Sequence, residues 1–366
     1  MKNSRIGKLV EWMKTENISA GIITSKANIF YLSNFYTDPH ERLVALLVFT
    51  NEAPLLIAPN MEKEQIKASG WENEIIGYSD TDNPWELMKE AVQKRNVTIK
   101  TLAIEKEHMI VQRLERLNEI FSNPTFITAE NKLHELRMIK DNEEISIIRE
   151  AAKLADYGVE VGVSSIKEGK SELEVLATIE FELKKKGIRE MSFSTMVLTG
   201  AKTAAPHGKP GLDRIKKGDL VLFDLGVVLN GYCSDITRTV AFGEINERQR
   251  EIYETVLKAE VAALNICKPG EAIGTIDQTA RTIITNKGYG EYFTHRIGHG
   301  LGIDVHEFPS MTSTNSNSLK AGMTFTIEPG IYVPNVGGVR IEDDVLITET
   351  GFESLTSYPK ELQMLK

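Results

Sequence analysis

Cysteine is almost missing from this 366-residue chain: only Cys233 and Cys267 are present, so no disulfide framework is available to hold it. No apolar run approaches the roughly 18 residues of a membrane-spanning helix, so no membrane partner is expected. Positive charge is not in excess either. With 43 basic and 52 acidic residues the net charge is -9, which argues against a nucleic-acid partner. The basic start, Met1 to Arg5, is not followed by the apolar core of a signal peptide, and the expected address is cytoplasmic. Tandem repeats and low-complexity segments are also absent. The three tryptophans, Trp12, Trp71 and Trp85, all lie near the start.

What is present is an ordinary globular composition, 41% hydrophobic and 26% charged, with length for about two domains. The first 130 or so residues alternate β-rich runs (Gly21–Thr24, Val44–Phe49, Leu55–Ala58, Glu74–Tyr78, Leu102–Glu105) with helical patterns (Arg5–Glu16, Met61–Ala68, Pro84–Lys94, Met109–Ile120). Asn51-Glu52 reads as a hairpin turn. This is a small α/β domain with a mixed sheet. A helical connector covers Ala129–Arg137, and the division is expected near residue 135, giving domains 1–134 and 135–366. Asp141 and Glu144 form a capping box that opens a long helix with an apolar stripe through Ile145, Ile148, Ala152, Ala155 and Val159. Further amphipathic helices are expected over Glu172–Lys186, Glu247–Ile266 and Ile276–Asn286.

The clearest local geometry surrounds Asn230-Gly231, a two-residue hairpin signal between β-rich runs. A two-residue loop there pairs Leu229 with Tyr232, Gly226 with Asp235 and Asp224 with Thr237. Asp224 and Asp235 then project from one face as diagonal neighbours about 7 Å apart, and Gly226 leaves the space between them open. Two carboxylates so close repel unless a cation sits between them; otherwise they are surface acids on a polar hairpin face. A second acidic pair, Glu328 and Glu342, flanks a loop centred on Asn335, and folding there sets the two side by side. Three of the seven histidines, His295, His299 and His306, fall within twelve residues. Glycines at 298, 300 and 302 disfavour a helix there and permit close approach of backbone or substrate. Cys233, between the two aspartates, reads as a small packing residue because an oxygen-rich site does not need a thiolate.

Together these stretches resemble the pita-bread metallopeptidases, the family of methionine aminopeptidase, aminopeptidase P and prolidase. The matching motifs are Asp224 with Asp235, His299 in Gly298-His299-Gly300, Glu328 in Glu328-Pro329-Gly330, and Glu342 in Arg340-Ile341-Glu342-Asp343. Ala205-Pro206-His207-Gly208 and Val305-His306-Glu307 resemble the proline-specific branch. Asn28–Phe35 and Leu136–Asp141 resemble its creatinase-like amino-terminal domain and connector. The length and the segments Tyr36–Arg42 and Tyr289–Phe293 are most similar to the short bacterial Xaa-Pro dipeptidases.

The resemblance implies an α/β (α+β) chain with a creatinase-like amino-terminal domain and a pita-bread catalytic domain. It implies two divalent metal ions, Mn foremost and Co, Fe or Zn as alternatives, on Asp224, Asp235, His299, Glu328 and Glu342, with Asp235 and Glu342 bridging. A hydroxide held between the metals would attack the carbonyl before proline, and Glu328 would relay protons to the leaving nitrogen. His207 and His306 would donate hydrogen bonds to substrate and tetrahedral intermediate, and His295 would shape the proline pocket. Arg340 either holds the metal shell or a substrate carboxylate, or pairs with Asp343 or Asp344. Arg296 and the charged loop Asp38–Arg42 are candidates for limiting cleavage to dipeptides, the loop by reaching a partner's site in a homodimer; it is equally readable as solvated. The expected substrate is a proline-containing di- or oligopeptide. The expected activity is Xaa-Pro dipeptide hydrolysis, with an Xaa-Pro aminopeptidase acting on longer peptides and a non-enzymatic pita-bread binding protein as alternatives.

Overall fold

The computed structural model describes residues 2–366, and the side chains from Arg5 onward. The chain divides into two compact units, the first ending at Arg137 and the second spanning Met138–Lys366.

In the first unit six strands form one mixed sheet: β1 (Ala20–Ile23), β2 (Ala45–Phe49), β3 (Leu55–Pro59), β4 (Glu74–Tyr78), β5 (Thr101–Ile104) and β6 (Thr125–Thr128), in the order β4-β3-β2-β1-β5-β6. β1 pairs antiparallel with β2 and parallel with β5. The Asn51-Glu52 turn joins β2 to β3, with Leu47 opposite Leu55. Two elements escaped the sequence reading: β6 and a helix over Lys26–Ser33. That helix is buried from Asn28 through Ser33 and so presents no amphipathic period to detect. It is anchored by the buried Glu105, which accepts from the backbone N–H of Thr24 and Ser25 and from the Asn28 amide.

The second unit opens on a long helix, Asn142–Ser165, whose Asp141–Glu144 capping box is formed as expected. Helices Glu172–Lys185, Glu247–Asn265 and Ile273–Asn286 follow. The last begins three residues earlier than its periodicity suggests. Strands β7 (Glu190–Met191), β8 (Met196–Thr199), β9 (Asp219–Leu225), β10 (Val227–Leu229), β11 (Tyr232–Cys233) and β12 (Ile236–Phe242) come from the first half. The second half supplies β13 (Gly298–Gly300), β14 (Glu307–Met311), β15 (Thr324–Ile327), β16 (Gly330–Val333), β17 (Gly337–Arg340), β18 (Asp343–Ile347), β19 (Phe352–Ser354) and β20 (Met364–Leu365). The two principal sheets run β20-β12-β9-β8 and β14-β13-β15-β18-β19. Helices 142–165 and 172–185 cover the first through a core that includes Val159, Ile179, Phe223 and Val240. Helices 247–265 and 273–286 bury Val256, Ile276, Phe325 and Val345. Among the described residues no helix is long and apolar enough to cross a membrane.

The hairpin register follows the Asn230-Gly231 expectation: Leu229 faces Tyr232 and Asp224 faces Thr237. Both turn residues have positive φ, 47° and 83°, as a two-residue turn of this hand demands. The reason offered for Gly226 needs correction. An ideal Cβ there would lie 1.8 Å from the Ser234 carbonyl oxygen, so the glycine admits a backbone group and does not clear space between carboxylates.

Candidate active site

Each of the five candidate ligands sits at or beside a strand end of the second unit. Asp224 is the penultimate residue of β9, Asp235 precedes β12, and His299 is the centre of β13. Glu328 follows β15, and Glu342 lies between β17 and β18. Gly330 pairs with Arg340 in the β16–β17 hairpin, so the turn at Asn335 carries Glu328 back against Glu342. β13 can lie between its neighbours only because it is glycine-flanked. A Cβ on Gly298 would be 1.9 Å from the Thr326 carbonyl oxygen, and one on Gly300 2.2 Å from that of Phe308.

The five converge on one cavity of about 390 Å³, near the lower end of the range for small-molecule sites. His207, His295, Arg296, His306 and Arg340 line the same cavity, with Phe193, Met196, Pro206, Val305 and Tyr332 as its remaining walls. Ligand atoms of Asp235, His299 and Glu342 lie within 4.8 Å of one another, and all three residues are buried.

Four carboxylates share this space with few donors. Asp224 gives one oxygen to the Arg340 guanidinium, and Glu342 accepts from the Thr237 hydroxyl at 2.6 Å. Asp224 Oδ1 and Asp235 Oδ1 are buried without a hydrogen-bond partner. Burial, reinforced by the mutual repulsion of Glu342, Asp224, Asp344 and Glu328, holds the Asp235 carboxyl well above the usual range. Burial and the neighbouring Glu328 and Asp224 do the same to Glu342. Glu328 is pushed up to about 8, chiefly by burial, against the opposing pull of Arg340. Buried carboxylates in this arrangement stay ionised only beside multivalent positive charge.

His299 identifies where that charge fits. Burial lowers its pKa to about 3, so the ring is neutral. Its Nδ1 lies 3.2 Å from the Gly300 carbonyl oxygen, which can only accept, so the proton is on Nδ1. Nε2 therefore directs a lone pair toward Asp235 Oδ2 at 3.7 Å and Glu328 Oε1 at 3.5 Å. An imidazole lone pair facing several buried carboxyl oxygens is the donor set of a metal centre, with the carbonyl fixing the tautomer. The residues present fit divalent cations.

The surrounding shell was only partly anticipated. Arg340 does not pair with Asp343 or Asp344. Asp343 is held by Arg238 at 2.7 Å and Lys360 at 2.5 Å, and Asp344 accepts from the Asp235 N–H at 2.9 Å. The Arg340 guanidinium instead donates to Asp224, to Thr237 Oγ1 at 3.0 Å and to the Tyr332 hydroxyl at 2.9 Å. His295 is also engaged at both nitrogens: Nδ1 donates to the Arg296 carbonyl, and Nε2 lies 2.9 Å from the Tyr332 hydroxyl. Only its ring is offered to the cavity. Arg296 donates one nitrogen to Ser310 Oγ at 2.9 Å. The His306 ring stands edge-on to His299, centroids 4.1 Å apart. His207 lies in a turn closed by the Gly208 N–H and the Ala205 carbonyl. Cys233 is buried, its thiol donates to the Ile303 carbonyl, and burial pushes it up to about 12; it packs as a neutral residue.

Sequence reasoning missed Thr237, Tyr332 and Asp344 as partners of these groups. Thr237 was within reach of it, since the hairpin register already put it opposite Asp224. In the first unit, Asp38 and Arg42 of the charged loop pair with Lys26 and Asp80.

Comparison with known proteins agrees with this geometry. The profile of metallopeptidase family M24 matches residues 146–349, and that of the creatinase/prolidase N-terminal domain matches residues 5–139. The YkvY protein of Bacillus subtilis, whose name provisionally assigns it to the dipeptidases, is 56% identical over 99% of this chain and 100% of its own length. The crystal structure of the prolidase from Pyrococcus horikoshii superposes with a TM-score of 0.92 at 37% identity, covering 98% of this chain and 100% of that one. The Xaa-Pro dipeptidase from Bacillus anthracis superposes with a TM-score of 0.93 at 34% identity, covering both chains completely.

Proposed function

The chain belongs to metallopeptidase family M24, and from that premise we propose that it hydrolyses Xaa-Pro dipeptides to release proline. The observation that carries the reading is the neutral His299, its Nε2 lone pair turned into a cavity walled by Asp224, Asp235, Glu328 and Glu342. Similarity to a prolidase and an Xaa-Pro dipeptidase over nearly the whole chain supports the substrate class.

The five side chains would hold two divalent cations, Mn foremost and Co, Fe or Zn as alternatives. When bound, the cations would acidify a water and polarise the carbonyl of the residue before proline. Glu328, whose Oε1 faces His299 Nε2 at 3.5 Å, would act as the carboxylate that takes a proton from the nucleophile and delivers it to the leaving imide nitrogen. His207, on the connection that leads to β9, and His306, on the connection between β13 and β14, donate hydrogen bonds to the substrate and to the developing tetrahedral oxyanion. Arg340 acts on Asp224, fixing the orientation of that ligand rather than meeting substrate. His295, locked on Tyr332, walls the proline side. Arg296, held by Ser310 through one nitrogen, meets the free carboxylate of a dipeptide. Proline at the second position suits a site that makes no demand for an N–H on the scissile nitrogen. A cytoplasmic homodimer is the assembly we carry from the family resemblance.

The test offers the purified, Mn-loaded protein an Xaa-Pro dipeptide and an Xaa-Pro-Xaa tripeptide, with metal content measured in parallel. Two divalent ions per chain and faster dipeptide turnover are expected. Faster tripeptide turnover would replace this reading with an aminopeptidase, and inactivity on both without bound metal would leave a binding protein.

A further inference from the structure

Glu342 lies in the connection between β17 and β18, outside either strand, and its backbone is stitched to the start of β12. Its N–H donates to the Thr237 carbonyl at 3.1 Å, and its carbonyl accepts from Arg238 Nη1 at 2.5 Å. Arg238 is 1% exposed, and all three of its guanidinium nitrogens are engaged. Nη1 also donates to the Thr237 carbonyl at 2.9 Å, and Nη2 to Asp343 Oδ1 at 2.7 Å. Nε and Nη2 both reach the Tyr358 carbonyl, at 2.9 and 2.7 Å.

That last carbonyl is presented by an outer clasp. Asp156, on the helix over Asn142–Ser165, accepts from the Ser357 hydroxyl at 2.7 Å, the Ser357 N–H at 2.8 Å and the Tyr358 N–H at 2.9 Å. Beside it, Thr356 donates to Asp343 Oδ1 at 2.8 Å and Lys360 pairs with Oδ2. The planar fork of a guanidinium fixes several acceptors at set angles, which the point charge of an ammonium does not.

We propose that Arg238 is a positioning residue for the metal centre: braced by residues 356–360, it sets the Glu342 backbone and so aims the Glu342 carboxylate at Asp235 and His299. The inference rests on the reading of Glu342 as a metal ligand and deepens it. Thr237 steadies the carboxylate itself, whereas Arg238 steadies the main chain from which it projects. With an ammonium in place of the fork, the carbonyls of Thr237, Glu342 and Tyr358 compete for one charge, and the connection bearing Glu342 relaxes. A ligand whose direction is no longer preset binds its cation more weakly.

The test is calorimetric titration of EDTA-stripped, full-length protein with Mn, the fold of each variant being checked by circular dichroism. Arg238→Lys keeps the charge and loses the fork, and it is expected to weaken Mn binding about 10- to 100-fold. Asp156→Ala releases the clasp from a half-buried position far from the cavity lining, and a loss of about threefold or more is expected. This variant also decides the matter if Arg238→Lys folds poorly. Because the clasp acts through Arg238, the double variant is expected to match Arg238→Lys within about twofold. Arg149→Met is the control. It removes an ion pair at 2.8 Å between the same helix and Glu353 of β19 without touching Arg238, and Mn affinity is expected to hold within about twofold. A merely structural effect would weaken binding as much in Arg149→Met as in Asp156→Ala. That result, unchanged affinity in Arg238→Lys or Asp156→Ala, or multiplicative losses in the double variant would each overturn the proposal while leaving the metal reading in place. An unsubstituted protein that binds no divalent ion would overturn both together.

Discussion

Stripped of divalent cations, the protein is expected to lose stability as pH rises from about 6.5 to about 8, and added Mn is expected to abolish the loss. A carboxyl whose folded pKa lies above its unfolded one stabilises the fold only while it is protonated. That contribution is complete below the unfolded value and disappears as pH climbs through the folded one. Glu328 runs from an ordinary 4.5 to about 8. At about 1.4 kcal/mol per unit, it withdraws about 2 kcal/mol between pH 6.5 and 8. Asp235 and Glu342 are raised by burial in the same direction and steepen the slope. Histidines act oppositely. His295 and His299, lowered by burial to about 4 and about 3, add stability as pH rises toward the ordinary 6.5. Their gain offsets the carboxyl loss at lower pH and ends near 6.5, which is why the window opens there. For a unit of this size about 2 kcal/mol is roughly 4–8 °C in Tm. The assay is calorimetry in EDTA and in excess Mn at half-unit pH steps. Because cations must displace protons from the carboxyls, the Mn-induced rise in Tm is expected to grow with pH. An EDTA-treated protein whose Tm is flat or rising across the window would refute the electrostatic account of the site, as would an equal Mn effect at both ends.

Other outcomes follow from the same geometry. Asp235→Ala is expected to abolish turnover in a protein that still folds, judged by circular dichroism; retained turnover with added metal would contradict its ligand role. His207→Ala is expected to lower kcat about a hundredfold, the worth of one preorganised donor, with divalent content intact by elemental analysis. Thr237→Val removes the 2.6 Å donor to Glu342 and is expected to weaken divalent affinity by about 10- to 100-fold in calorimetric titration. Gly226→Ala would drive a methyl into the Ser234 carbonyl, and a destabilisation of about 3 kcal/mol or more is expected in denaturant unfolding.

Much of the site was already written locally in the chain. The Asn230-Gly231 turn specifies its own register within a dozen residues, so the facing of Asp224 and Thr237 followed from counting. The Asn335 turn did the same for the glutamate pair. The helix over Lys26–Ser33 stayed hidden because its faces are buried all round and leave no periodic contrast.

Short-range pairing and alternation were thus enough to set two acidic pairs side by side on hairpins, while the choice of His299 among the clustered histidines came from the family resemblance. Which groups steady them was decided only by tertiary packing. Arg340 could be read against Asp343 or against the shell, and the choice of Asp224 came from folding β17 against β9 across 116 residues. Thr237 meets Glu342 across 105 residues, and Arg238 meets the carbonyl of the same glutamate across 104. A hydrogen bond needs its donor within about 3 Å. No pattern of neighbours along a chain can supply that precision for groups brought together by separate strands, whereas a turn of two residues supplies it for the groups on either side of itself.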